Sequence, residues 1–141
     1  MLPLRHARRW RAASIALLAL VLIATLLPAV WFWPDRGELV TWFVHSDKWL
    51  HGITFAFLAL WFAGQYRRRS YWRIGVGLIA FGLLIEACQG MVSYRSAEFL
   101  DVGANMAGIA VGLSIALAGL GGWSTWVENR LERRRVLADG D

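Results

Sequence analysis

Four stretches of this sequence contain no Asp, Glu, Lys or Arg: Ala12 to Pro34 over 23 residues, Trp49 to Tyr66 over 18, Ile74 to Ile85 over 12, and Val102 to Val127 over 26. A helix needs about 20 apolar residues to cross the hydrocarbon core of a bilayer. The first and last stretches exceed that length and the second nearly reaches it. The third reaches it only by running through Glu86 to about Val92. A lipid-facing backbone must satisfy its own hydrogen bonds, and no stretch alternates with the period of a barrel strand, so all four read as helices. The expectation is an all-α polytopic membrane protein, a single membrane domain over 1–141, with spans at about 10–33, 47–65, 72–92 and 101–122.

The remaining charges set the orientation. Of the 15 basic residues, twelve fall in three segments: Arg5, Arg8, Arg9 and Arg11; Arg67, Arg68, Arg69 and Arg73; Arg130, Arg133, Arg134 and Arg135. With four spans all three segments lie on one side, which the positive-inside rule makes cytoplasmic. Both termini are then inside. The formal net charge of +5 is thereby a topology signal that needs no nucleic acid. Most of the nine tryptophans fall where indole rings prefer to be, near the headgroups: Trp31, Trp33, Trp42 and Trp49 outside, Trp10, Trp72, Trp123 and Trp126 inside. The N-terminal run extends to Trp33 with no clear A-x-A-like cleavage site, which favours a retained helix over a secretory signal. The segment 123–141 reads as a cytoplasmic tail, either a short amphipathic helix on the membrane surface or a frayed end. Lone Cys88 permits no internal disulfide.

Ionisable groups inside a span are costly and each needs a reason. The second helix carries Asp47 and Lys48 at its outer end, with His51 one turn deeper and cofacial with Asp47. The third carries Glu86 and Gln89, three apart, and the fourth Asp101 and Asn105, four apart. At about 1.5 Å per residue, His51, Glu86 and Asn105 all lie roughly 6 to 9 Å below the outer helix ends. Below Asn105 the same face continues through Gly108, Gly112 and Ala116, a small-residue stripe that lets a neighbouring helix approach and turns Asp101 and Asn105 inward. The outer loop before the fourth helix supplies Arg95, a cation able to pair with carboxylates or clamp a phosphate. A bland reading stands beside each: Asp47 and Asp101 as helix caps, His51 as a hydrogen-bonded interior histidine, the whole set as a structural network. His6 and His45 fall outside the pattern. One histidine with separated carboxylates has no metal-ligand spacing, so neither metal nor cofactor is expected.

The residues just described are DKWLH from Asp47 to His51, EACQ from Glu86 to Gln89, and RSAEFLDVGANMAG from Arg95 to Gly108. This pattern resembles that of the VanZ-like family of small bacterial membrane proteins, whose namesake is associated with resistance to the glycopeptide teicoplanin. The resemblance covers 47–122. It departs at Ser93 and Tyr94, where a Pro-Gly type of turn is expected. What it implies is a four-helix membrane domain acting on lipid headgroups or lipid-linked envelope precursors, with enzymatic status left open.

Two functional classes follow from the residues. In the first, an intramembrane enzyme, Arg95 and Lys48 neutralise a phosphate, and His51 acts as general base or nucleophile. Glu86 or Asp101 orients it or supplies a proton, and Asp47, Gln89 and Asn105 help to hold the headgroup. In the second, the same pocket binds a lipid, an envelope intermediate or an antibiotic without proton transfer, or assists a partner membrane protein. A transporter is disfavoured, because four helices without a repeat offer little for alternating access unless the chain forms an oligomer.

Overall fold

The computed structural model describes residues 1–27, 39–91 and 99–138, with the side chains of 39–47, 135 and 138 outside the description. Among these residues five α-helices follow one another: α1 (Ala7–Leu26), α2 (Leu39–Gln65), α3 (Tyr71–Gly90), α4 (Phe99–Ile115) and α5 (Trp123–Ala138). A 3₁₀ turn, Arg68–Ser70, introduces α3, and a wide turn with π-type bonding, Ala116–Leu120, closes α4. No strand occurs among the described residues. Among the described residues three segments are long and apolar enough to cross a membrane: Ala7–Leu26, Arg68–Gly90 and Phe99–Leu120.

Two helix boundaries differ from the sequence expectation. The first helix stops at Leu26 instead of continuing to position 33, with Leu27 extended at φ −70° and ψ 135°. Leu27 precedes Pro28, and the proline ring excludes the helical conformation from the residue before it. Trp31 and Trp33 fall outside the described residues. The second helix begins at Leu39, eight positions ahead of Asp47. No Gly or Pro interrupts the chain between Gly37 and Gly52, so the apolar run Leu39 to Val44 continues the helix upstream. Asp47 therefore sits inside a helix and not at its start. At 27 residues α2 is about 40 Å long, more than a ~30 Å hydrocarbon core requires.

The helices run alternately up and down, and interhelical hydrogen bonds identify the two ends of the bundle. At one end the Leu2 N–H donates to the Gln65 carbonyl at 2.8 Å and the Gly122 N–H to that of Ala63 at 3.2 Å. This joins the N-terminal segment, the C-terminus of α2 and the start of α5. At the other end, Gln89 Nε2 of α3 donates to the Thr25 carbonyl in the last turn of α1 at 3.1 Å. The three arginine-rich segments thus gather at one end, and the polar residues of α2, α3 and α4 lie toward the opposite one.

The core is centred on α2, whose Phe55, Leu58, Ala59 and Ala63 are almost wholly buried among Ile74, Leu78 and Ile85 of α3 and Ile109 of α4. Close approach of α2 and α4 depends on two glycines. A Cβ on Gly108 would overlap the Gly52 carbonyl, and one on Gly112 the Ala56 carbonyl, which is how small residues bring membrane helices together. After Ala116 the chain reverses through Gly119 at φ 144° and Gly122 at φ 77°, a left-handed geometry that a side chain disfavours. That turn folds α5 back against α2, where the Ser124 hydroxyl donates to the Gly64 carbonyl.

Candidate functional site

Seen from α4, the site is one helical face. Asp101, Asn105, Gly108 and Gly112 are all buried, and Ala116 beyond them is fully so. The spacing of three and four residues places them in one stripe. Asn105 Oδ1 lies 3.1 Å from His51 Nδ1 of α2, and both residues are buried. In the tautomer this distance fits, Nδ1–H donates to the amide oxygen and Nε2 carries the lone pair of the neutral ring.

The third wall is α3, where Gly82, Ile85, Glu86 and Gln89 are buried. Gly82 makes the junction with Asn105: a Cβ built there would stand 3.1 Å from Asn105 Nδ2 and 3.3 Å from Phe55 Cζ. A side chain at position 82 would therefore press on the amide group, which must give by a few tenths of an ångström to admit it. Sequence reasoning missed Gly82, although its position one turn before Glu86 on the same face was a usable signal. Asn105 Nδ2 has no hydrogen-bond partner among the described residues, which is unusual for a buried amide.

Placement of the remaining candidates is uneven. Glu86 is 7% exposed and Asp101 4%, far below what a solvated carboxylate shows. Gln89 turns to α1 through its bond to Thr25, so its amide nitrogen ties helices together and is not presented to a headgroup. Lys48 lines an apolar groove of about 400 Å³ between α2 and α4, with Trp49, Ile53, Ala104 and Val111. Asp47 is helical, with its side chain outside the described residues, as is that of His45. Arg95 lies in the segment 92–98, outside them altogether. No group of three or more His, Cys, Asp or Glu among the described residues is arranged to hold a metal ion.

A second polar cluster lies at the arginine-rich end, and sequence reasoning did not anticipate it. Glu128 of α5 is 9% exposed and accepts from the Arg5 N–H at 2.8 Å, the His6 N–H at 3.0 Å and Trp10 Nε1 at 2.9 Å. His6, which looked incidental, also brings Nδ1 to 3.5 Å from the same carboxylate. Burial pushes the Glu128 carboxyl up, and the His6 and Arg5 backbone donors with the Trp10 indole outweigh it and hold it below the usual range. His6 is the N-cap residue of α1 and makes no side-chain cap, so Glu128 supplies from α5 the anion that this helix start lacks locally. Around it Trp10, Trp61 and Trp123 pack with ring centroids 5.5 to 5.6 Å apart. Trp61 Nε1 and Gln65 Nε2 both donate to Ser14 Oγ. These groups are spent on each other and hold the bundle end closed.

No family model, curated protein or solved structure matches this chain.

Proposed function

We propose that this chain is a four-span protein of the bacterial cytoplasmic membrane, with both termini cytoplasmic, that engages a lipid headgroup or a lipid-linked envelope precursor near the outer ends of α3 and α4, beside the middle of α2. In this reading α2 is the fourth span and the arginine-rich end faces the cytoplasm. The observation that carries it is the buried His51–Asn105 pair, with buried Glu86 and Asp101 about one helical turn farther toward the end away from the arginines. Buried ionisable groups on spanning helices are expensive, and function is their usual reason.

Chemically, Asn105 fixes the His51 ring so that Nε2 is the basic nitrogen. That nitrogen takes a proton from water or from a headgroup hydroxyl, while Glu86 and Asp101 stabilise the imidazolium that results. Lys48 brings positive charge toward the phosphate. A second reading, a non-catalytic binder of the VanZ-like kind that holds a lipid, an envelope intermediate or an antibiotic, is favoured by the deep burial of His51. A link to glycopeptide resistance belongs to either version and rests on the resemblance of the motifs alone.

The test compares wild type with His51→Gln, His51→Ala and Glu86→Gln in cells whose lipids and cell-wall precursors are profiled by mass spectrometry. The enzymatic reading expects the profile set by wild type to be lost in all three variants. A profile kept by His51→Gln and lost in His51→Ala assigns binding without proton transfer. Variants that insert normally and leave every profile unchanged refute both.

A further inference from the structure

At the arginine-rich end, remote from the His51 site, α1, α2 and α3 leave a groove of about 290 Å³ between them. Its walls are apolar: Leu18 of α1, Phe62 of α2, and Leu78 and Phe81 of α3. Its mouth is polar, formed by Tyr66, Ser70 and Arg73, and Arg67, Arg68 and Arg69 crowd the turn beside it. Arg73 is exposed, and its guanidinium carbon lies 5.2 Å from the centre of the Trp72 ring. A guanidinium stacked on an indole keeps its N–H edge available for oxygen ligands.

We propose that this groove is a binding site for an anionic phospholipid of the cytoplasmic leaflet, one acyl chain lying between α1, α2 and α3 and the phosphate meeting Arg73 and Ser70. Charge complementarity selects the occupant. An uncharged apolar molecule would fill the walls and leave the arginine-lined mouth unmatched, and a soluble anion would match the mouth and leave the walls empty. A phospholipid with net negative charge satisfies both, and basic clefts between helices on the cytoplasmic side favour such headgroups. Gly77 of α3 also lines the groove, and a Cβ added there meets nothing within 4 Å. A larger side chain at position 77 therefore enters the groove and not the packed core.

Native mass spectrometry of the full-length protein, with dioleoyl phosphatidylglycerol and dioleoyl phosphatidylcholine added in turn to detergent solution, tests the assignment. The wild type is expected to bind phosphatidylglycerol several-fold more tightly. Each basic side chain near an anionic headgroup contributes a factor of roughly five, so Arg73→Gln should lower that preference about fivefold. Gly77→Phe should reduce binding of both lipids and leave the melting temperature unchanged. Equal binding of the two lipids by wild type, or a preference that survives both substitutions, would overturn the proposal. The fivefold effect of Arg73→Gln should be the same in a His51→Ala background, which separates this site from the proposed headgroup site.

Discussion

His51 Nδ1 and Asn105 Oδ1 lie 3.1 Å apart although 54 positions separate the residues in the chain. The contact joins α2 to α4 within a buried interface, so it positions a ring and also couples two helices. Interhelical hydrogen bonds in membranes are worth about 0.6 kcal/mol on average and up to ~1.7. A double-mutant cycle over His51→Ala and Asn105→Ala, read by thermal unfolding in detergent, should give a coupling energy near 1 kcal/mol. A coupling indistinguishable from zero would remove the pair as an organising contact.

The glycines of α4 make a sharper contrast. Gly103 has open space where its Cβ would be, whereas Gly108 faces the Gly52 carbonyl. Gly103→Ala should leave stability unchanged or raise it by up to about 1 kcal/mol through helix propensity. Gly108→Ala should lower it by about 1 to 3 kcal/mol by forcing α2 away. Melting temperatures of the two variants that move in the same direction would contradict the packing described for this interface.

Glu128 gives the fold a pH dependence of known sign. Its carboxyl is held below the usual range in the folded protein, so its contribution is fully present above the unfolded glutamate value of about 4.3 and is lost as pH falls through the lower folded value. Acidification should loosen α5 from the start of α1. The fluorescence of the Trp10, Trp61 and Trp123 cluster should report this, and Glu128→Gln should weaken the docking at neutral pH and flatten the profile. An acid transition identical in wild type and Glu128→Gln would show that another group controls it.

Cysteine labelling in a Cys88→Ser background reads the topology. Met91 and Phe99 are almost fully exposed at the end of the His51 site, and Arg69 and Arg130 are exposed at the other. In right-side-out vesicles an impermeant maleimide should modify Met91→Cys and Phe99→Cys, and should reach Arg69→Cys and Arg130→Cys only after permeabilisation. All four reacting from one side would exclude the four-span arrangement.

What could be read from the sequence followed the range of each interaction. Asp101, Asn105, Gly108, Gly112 and Ala116 share a face because of their spacing alone, and that face is buried in the structure. The early end of α1 was also written locally, in Pro28. The Glu128 interaction was not legible in this way: it joins residues more than 115 positions apart, and its only local trace is an α1 start without Ser, Thr, Asp or Asn at the cap. The role of Gly82 appears only once Asn105 is placed against it, since a glycine's empty volume has no meaning until a neighbour fills it. Gln89 shows the converse, a polar residue correctly placed on the inward face whose partner proved to be the Thr25 carbonyl of α1.

The central claim, that the His51 end engages a phosphate-bearing lipid, is tested most directly by identifying the lipids that co-purify from bacterial membranes with wild type, His51→Ala, Asn105→Ala and Arg73→Gln. The account predicts one lipid or lipid-linked precursor class that stays with wild type and Arg73→Gln and is lost from His51→Ala and Asn105→Ala, with all four proteins still folded. The same lipids in the same proportions on wild type, His51→Ala and Asn105→Ala would contradict it.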